Sequence, residues 1–339
     1  MSSQTDILED EIFKRAPSLL NALLKDQTCS RLRDSTNIIW ATQDYKELGK
    51  GYQFHDQIQP ELITGENGHV IMPRILKDKN QVVSRVRDRA EVFTPSWVCN
   101  YQNNQIDEIW FGRKGTFNKE VVTPSGERGW KTNKEKILFP TGKRWRDYIN
   151  DLRIEVSCGE APYLASRYDL TNGNIIPVEV RIGIIDRKLR IVSENANTES
   201  EWINAAFDAF KSTYGYEWQG DSLLIARESM LFSFIEHFQF RFGKMPDLED
   251  ISYIAYIISW NLWQMDGIKG VIPDSCHDVV YSSPMLFGDS QTEICPCEGC
   301  EKNEIQSHNG IYCYIMDWHP DGYSGKGKEK AIRFIDILR

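Results

Sequence analysis

Residues 152–164 read Leu-Arg-Ile-Glu-Val-Ser-Cys-Gly-Glu-Ala-Pro-Tyr-Leu, and no other stretch of the chain limits its fold as much. A short apolar run, Ile154 and Val156, reaches a Cys-Gly turn and then resumes in a helix-like pattern. This is the pattern of a strand feeding a tight turn. Gly159 gives the turn a backbone freedom, or a close ligand approach, that a β-carbon would hinder. Strand ends of this kind are where open α/β sheets hold nucleotide-like ligands.

Further segments support an α/β reading. Apolar positions at Leu8, Ile12, Ala16, Leu19, Leu20, Leu23 and Leu24 have helical spacing, with a break at Pro17. Asn37–Ala41 reads as a short buried strand. Helices are predicted over 96–110, with Ser96 as the N-cap, and over 199–212. A strand follows near 213–217, then helices over 221–240, capped by Asp221, and over 248–258. The organisation expected is an N-terminal helical region, 1–88, and a core, 89–339. The core carries a basic insertion at 111–148 and a Cys-rich element at 273–313.

The 152–164 segment resembles the cofactor-binding signature of DNA N6-adenine methyltransferases, Asp-Pro-x-Cys-Gly-Ser-Gly-x-Phe-Leu. Glu155 takes the Asp place, Cys158 and Gly159 match, and Tyr163-Leu164 fill the final apolar pair. Upstream, Phe93-Thr94-Pro95 resembles the motif that precedes this signature in type I and related modification subunits. Downstream, Gly215-Tyr216-Glu217 followed by Leu224-Ile225-Ala226-Arg227 resembles the second motif, whose acid holds the ribose hydroxyls of S-adenosylmethionine. Asn261–Gly267 resembles the third motif, in which Asp266 would contact the adenine moiety. The whole chain looks like short bacterial and phage proteins described as restriction-modification methylase subunits.

The resemblance implies a Rossmann-like methyltransferase core. It also implies a cofactor site built from Phe93, Thr94, Pro95, Glu155, Cys158, Gly159, Glu217 and Asp266. Asp186, which ends the apolar run Ile182–Ile185, competes with Glu217 for the ribose role. Three positions depart from the signature: Glu155, Glu160 for Ser, and Ala161 for the second Gly, whose methyl is expected to face the cofactor. The Asn/Asp-Pro-Pro-Tyr motif that grips a flipped adenine does not occur. Its position-matched counterpart is Ile315–Pro320, which keeps an acid and an aromatic, Asp317 and Trp318. Only 21 residues follow Trp318 (318 to 339), so the sheet is expected to be incomplete.

Two functions follow from the resemblance. One is an S-adenosylmethionine-dependent DNA adenine-N6 methyltransferase, or a subunit of one, paired with a second restriction-modification chain. The other is a catalytically degenerate, methyltransferase-like DNA-binding or partner protein of a restriction or counter-defence system. A third reading, a metal-dependent nuclease, rests on Asp186-Arg187-Lys188 with Asp169 upstream.

Eight cysteines include five between 276 and 313. Cys297-Glu-Gly-Cys300 has the spacing that brings two thiolates onto one ion. Cys276 and Cys313 would complete four sulfur ligands of a structural zinc in a ribbon-like element, with His277, Cys295 and His308 as substitutes. Gly299 is expected to serve the turn through a left-handed backbone.

Net charge is −9, which argues against a surface that coats DNA uniformly. The basic residues concentrate in 113–146. Arg128, Lys131, Lys134, Lys136, Arg144 and Arg146 are the candidate DNA contacts, interleaved with Trp110, Phe111, Phe117, Trp130, Phe139 and Trp145. Basic groups neutralise phosphates and aromatics stack on bases; the alternative is a solvated loop with its own aromatic cluster. No apolar run approaches the roughly 20 residues of a membrane span. The first residues lack the pattern of a signal peptide, so the chain is read as cytoplasmic.

Overall fold

The computed structural model describes residues 9–33, 35–77, 94–122, 124, 126–283, 291–319 and 328–338. Its centre is a three-stranded parallel sheet in the order β3-β4-β5, with β3 at Arg153–Glu155, β4 at Thr213–Glu217 and β5 at Leu262–Gln264. In register, Glu155 faces Gly215, and Glu217 faces Gln264. Parallel neighbours need long crossovers. Here α5 (Ile184–Asn195) and α6 (Glu199–Lys211) link β3 to β4, while α7 (Gly220–Phe242) and α8 (Leu248–Asn261) link β4 to β5. The chain is therefore mixed α/β around a small parallel sheet.

The N-terminal segment folds as α1 (Glu9–Arg15) and α2 (Pro17–Leu24), with Pro17 opening the second helix, a position that tolerates a missing N–H. Leu19, Leu20, Leu23 and Leu24 join one hydrophobic cluster with Trp202, Phe234 and Ile254 of the core. Arg227 fastens the two regions. Its buried guanidinium donates to the carbonyls of Leu23 and Lys25 on one side, and of Ser259 and Leu262 on the other. The expected boundary at 88/89 lies outside the described residues.

Two apolar runs, Asn37–Ala41, expected as a strand, and Ile182–Ile185, do not form strands, for the same reason. Ile38, Trp40 and Ala41 are buried, yet around them only isolated bridges form, Lys25 with Asn37 and Ile39 with Gln57. Ile184 and Ile185 open helix α5 instead of ending a strand. An apolar run of four or five residues does not reveal its period. At the start of α7 the cap is Gln219, not Asp221. Pro95, not Ser96, caps α3, which runs Ser96–Phe111.

The basic insertion forms a hairpin, β1 (Asn118–Val122) with β2 (Arg128–Thr132), followed by the short helix α4 (Trp145–Ile149). The C-terminal region adds the hairpin β6 (Val279–Ser283) with β7 (Gln291–Cys295), helix α9 (Glu298–Lys302), and strand β8 (Tyr314–Asp317) paired to β9 (Lys330–Arg333). Ile272, Cys313, Ile315, Phe334 and Ile335 pack on Tyr216 and Trp263, covering one face of β4 and β5. Among the described residues no helix is long and apolar enough to cross a membrane.

Candidate functional site: a strand-end cleft and a Cys3His cluster

At the carboxyl ends of β3 and β4 opens a cleft of about 760 Å³, within the range of small-molecule sites. Its floor is the turn Glu155–Glu160, and its walls include Glu217, Trp218, Gln219, Ser222, Thr94 and Tyr163. Two buried carboxylates shape the turn. Glu155 Oε2 accepts the Leu164 N–H at 3.1 Å. Glu217 Oε2 accepts the Gly159 N–H at 2.8 Å, and its Oε1 accepts the Gln219 N–H at 3.1 Å. Ser157, Gly159 and Ala161 all adopt positive φ, at 50°, 54° and 58°, so the chain coils back tightly enough for both contacts.

Burial lifts the Glu155 carboxyl well above its ordinary value against the pull of the Tyr163 and Leu164 amides, and nearby Glu217 adds to the lift. Glu217 is raised for the same first reason, partly offset by the amides of Gln219, Gly159 and Trp218. Glu160, in the Ser place of the signature, serves as a clasp. It accepts from Arg74 N at 2.7 Å and from Tyr168 Oη at 2.7 Å. The Ala161 methyl does not face the cleft: it is wholly buried in the core, so this departure from glycine leaves the ligand side of the turn clear.

The N-terminal segment supplies a wall that local sequence did not foretell: Ala41, Thr42, Gln43, Phe54 and Arg74. Gln264 holds it there, accepting from Ile39 N at 2.9 Å and donating to Ile39 O and Trp218 O, both at 2.8 Å. Trp218 Nε1 donates to Ala41 O at 3.0 Å. The bonds to Ile39 and Ala41 join residues more than 170 positions apart, and no motif announces them.

Of the sequence-predicted cofactor residues, Thr94, Glu155, Cys158, Gly159 and Glu217 meet at this cleft. Pro95 caps α3 beside Thr94, and Phe93 lies outside the described residues. Asp266 does not line the cleft. Its Oδ1 accepts the N–H groups of Ile268 and Lys269, closing the turn after β5, a common use of Asp before Gly. Asp317 and Trp318 do not line it either. Trp318 is buried, with Nε1 on Asn261 Oδ1 at 2.8 Å, and Asp317 Oδ1 accepts from His319 N at 3.1 Å.

Asp186, Arg187 and Lys188 are buried on α5 with separate partners. Asp186 meets Ser166 and His237, Arg187 meets Asp107, Asn100 and Asn104, and Lys188 meets Asp151 and Ser212. Asp169 is taken up by Thr171. The triplet thus presents no shared metal-facing geometry.

In the Cys-rich element, the side-chain ligand atoms of Cys276, Cys297, Cys300 and His308 all lie within 4.8 Å of one another. His308 Nδ1 stands 3.6 Å from Cys276 Sγ and 3.7 Å from both Cys297 Sγ and Cys300 Sγ. Tetrahedral geometry with metal–ligand lengths of about 2.3 Å for sulfur and 2.0 Å for nitrogen requires edges of about 3.5 Å. The cluster could therefore hold a metal such as zinc. Burial opposes the Cys297 thiolate, but the Asn309 and Cys300 amides and His308 outweigh it and bring the thiol down to about 6.

Cys313 is not the fourth ligand. It is fully buried beneath β5, and its Sγ donates to Gln264 O at 3.3 Å. His308 takes its place because the turn after α9 folds back on the knuckle. Gly299 N donates to Ser307 O, Glu304 N to Gly299 O, and His308 N to Tyr312 Oη. His277 and Cys295 lie outside the cluster.

The basic insertion divides into spent and free cations. Arg128 lies over Trp97 at 4.5 Å. Arg146 pairs with Glu201 at 3.2 Å, and Arg144 with Asp147 at 3.7 Å. Lys131, Lys134 and Lys136 are exposed. The interleaved aromatics are mostly internal: Trp110, Phe111, Phe117 and Phe139 form a ring cluster with Tyr148, and Trp130 Nε1 donates to Val180 O.

No protein-family profile, curated protein or solved structure matches the chain.

Proposed function

We propose that this chain is a methyltransferase-like protein that binds S-adenosylmethionine in the strand-end cleft and DNA along its basic hairpin, acting as the partner chain of a modification system and not as its catalytic subunit. One observation carries the reading: Glu217 and Gly159 meet at 2.8 Å where two adjacent parallel strands end on a ligand-sized cleft. A carboxylate offers about four acceptor positions. The Gly159 and Gln219 amides take two, which leaves capacity for a pair of ribose hydroxyls. Glu155 and Glu160 are spent on the turn itself, on Leu164 N, Arg74 N and Tyr168 Oη, so Glu217 is the carboxylate left to meet a ligand in the cleft.

The non-catalytic assignment rests on Asp317 and Trp318. Both are engaged away from the cleft, and neither is disposed to grip a base. In the same reading Cys276, Cys297, Cys300 and His308 hold a structural zinc with no open position for catalysis.

Calorimetric titration with S-adenosylmethionine tests the cofactor assignment. Binding by the wild type that is weakened by Glu217→Gln supports it, whereas no binding by a folded wild type removes it. Incubation with adenine-containing DNA and the labelled cofactor then separates the two roles, and methyl transfer by the isolated chain would overturn the non-catalytic assignment. Elemental analysis should find about one zinc per chain, matching the one four-ligand cluster among the described residues.

A further inference from the structure

A second cavity, of about 440 Å³, opens where the root of the β1–β2 hairpin meets helices α5 and α7, and its size falls within the range of small-molecule sites. It shares no lining residue with the strand-end cleft. Trp130 Nε1 ties the hairpin to its rim by donating to Val180 O at 2.8 Å. Val178, Val180 and Phe240 give it apolar walls, and Phe240 is 63% exposed.

Asp186 and His237 line the same cavity, with Asp186 Oδ1 2.9 Å from His237 Nε2. Burial pushes the Asp186 carboxyl up, but the His237 hydrogen bond, the His237 and Arg181 charges and the Ser166 amide outweigh it and hold it below its ordinary value. An ionised carboxylate only accepts, so the proton of this contact is assigned to Nε2. Nδ1 is left over, and it makes no hydrogen bond to a described residue.

Arg181 carries the second unsatisfied group. Its side chain is 3% exposed, its Nε donates to Ile176 O, and its Nη2 meets Glu236 at 2.6 Å. Nη1 makes no hydrogen bond and lies 4.0 Å from Asp186 Oδ1, and a buried donor without an acceptor is costly. The other two guanidiniums of the cavity are spent, Arg187 on Asp107, Asn100 and Asn104, and Arg190 on Glu194 and two carbonyls. Around the open groups, Arg167 and Arg181 share Glu236, and Asp186 serves His237. Two guanidiniums thus balance two carboxylates, and a proton on Nδ1 leaves one positive charge over.

We propose that this cavity binds a small monocarboxylate with an apolar body. The carboxylate meets Arg181 Nη1 and a protonated His237 Nδ1, and the body lies against Val178, Val180 and Phe240. A monoanion matches the single surplus charge, whereas a phosphate dianion would leave one buried charge without a partner. A neutral alcohol would offer the guanidinium no charged acceptor. The site stands apart from the strand-end cleft, and its occupant does not depend on what the cleft binds.

Calorimetric titration of the full chain with benzoate at neutral pH tests the assignment. Benzyl alcohol and phenyl phosphate should each bind at least about tenfold more weakly than benzoate. His237→Gln should weaken benzoate by about tenfold or more, since it removes a donor to the buried carboxylate. Phe240→Glu sets a negative charge at an exposed position of the wall and should weaken benzoate by a similar factor. It leaves the buried pair intact, which keeps the test decisive should circular dichroism show that His237→Gln does not fold. No benzoate binding by the folded wild type, benzyl alcohol or phenyl phosphate binding as tightly as benzoate, or affinity unchanged in Phe240→Glu would overturn the proposal. Titration with S-adenosylmethionine on the same variants reads the cleft separately.

Discussion

Gly299 lies so close to His308 that a β-carbon on it would stand 2.5 Å from the His308 backbone nitrogen and 2.7 Å from Nδ1. The glycine is helical, within α9, so its left-handed freedom is not what the knuckle uses. The absence of a side chain is what lets the turn bearing His308 reach the cysteines. Gly299→Ala should displace the imidazole and weaken zinc binding by roughly 10- to 100-fold, the usual cost of disturbing a ligand's support. Competition with a chromophoric chelator measures it, and unchanged affinity would mean that the turn can shift without losing the ligand.

Cys313 and Cys297 differ in what they hold. Cys313→Ala removes a buried sulfur from the cluster on Tyr216 and Trp263, so it should cost about 1 kcal/mol of stability and leave the metal content unchanged. Cys297→Ala should lose the metal. Elemental analysis of both variants, with thermal melts alongside, reads the difference. Metal loss in Cys313→Ala would return that residue to the ligand set.

The elements that sequence made legible are those whose signals are local and long. The amphipathic helix at 199–211 declares a 3.6-residue period, those at 96–111 and 220–242 are announced by polar residues near their starts, and Pro17 marks the α1–α2 break. Strand β4 is bracketed by a helix on each side, and Glu217 falls at its end as the motif suggests. What sequence did not show is set by distant contacts. His308 outranks Cys313 because of a fold-back that Gly299 permits, and Asn261 is spent on Trp318 and three carbonyls. The wall at Ala41–Gln43 reaches the cleft through distant partners, Gln264 and Trp218. Basic composition likewise could not tell Arg146, paired to Glu201 on α6, from Lys131, facing solvent.

Glu155 makes the fold pH-sensitive in a direction that can be worked out. Its carboxyl is raised well above the ordinary 4.5, so the folded chain holds a proton there that the unfolded chain has released. The stability this contributes is full below about pH 4.5 and is lost as pH rises toward the elevated folded value. Glu155→Gln keeps an acceptor for Leu164 N and carries no charge to bury. The melting temperature of the variant minus that of the wild type should therefore become more positive as pH increases from 4.5 toward neutrality. A difference that is flat with pH would show that Glu155 stays ionised in the fold.

Lys131, Lys134 and Lys136 are exposed, and no ion pair to a described residue occupies them. Lys119 faces Lys131 across the hairpin register, a like-charge pair that costs the free protein something and that an anionic partner would relieve. Each phosphate contact contributes about 0.9 to the slope of log affinity against log salt on duplex DNA. Replacing the three lysines with glutamine should therefore weaken binding to an arbitrary duplex and flatten that slope by up to about 2.7. The same changes at Arg144 and Arg146 should flatten it less, because those guanidiniums already face Asp147 and Glu201. Fluorescence anisotropy across a salt series measures all of these. An unchanged slope in the lysine variant would leave the hairpin a solvated loop, packed through its aromatics and indifferent to DNA.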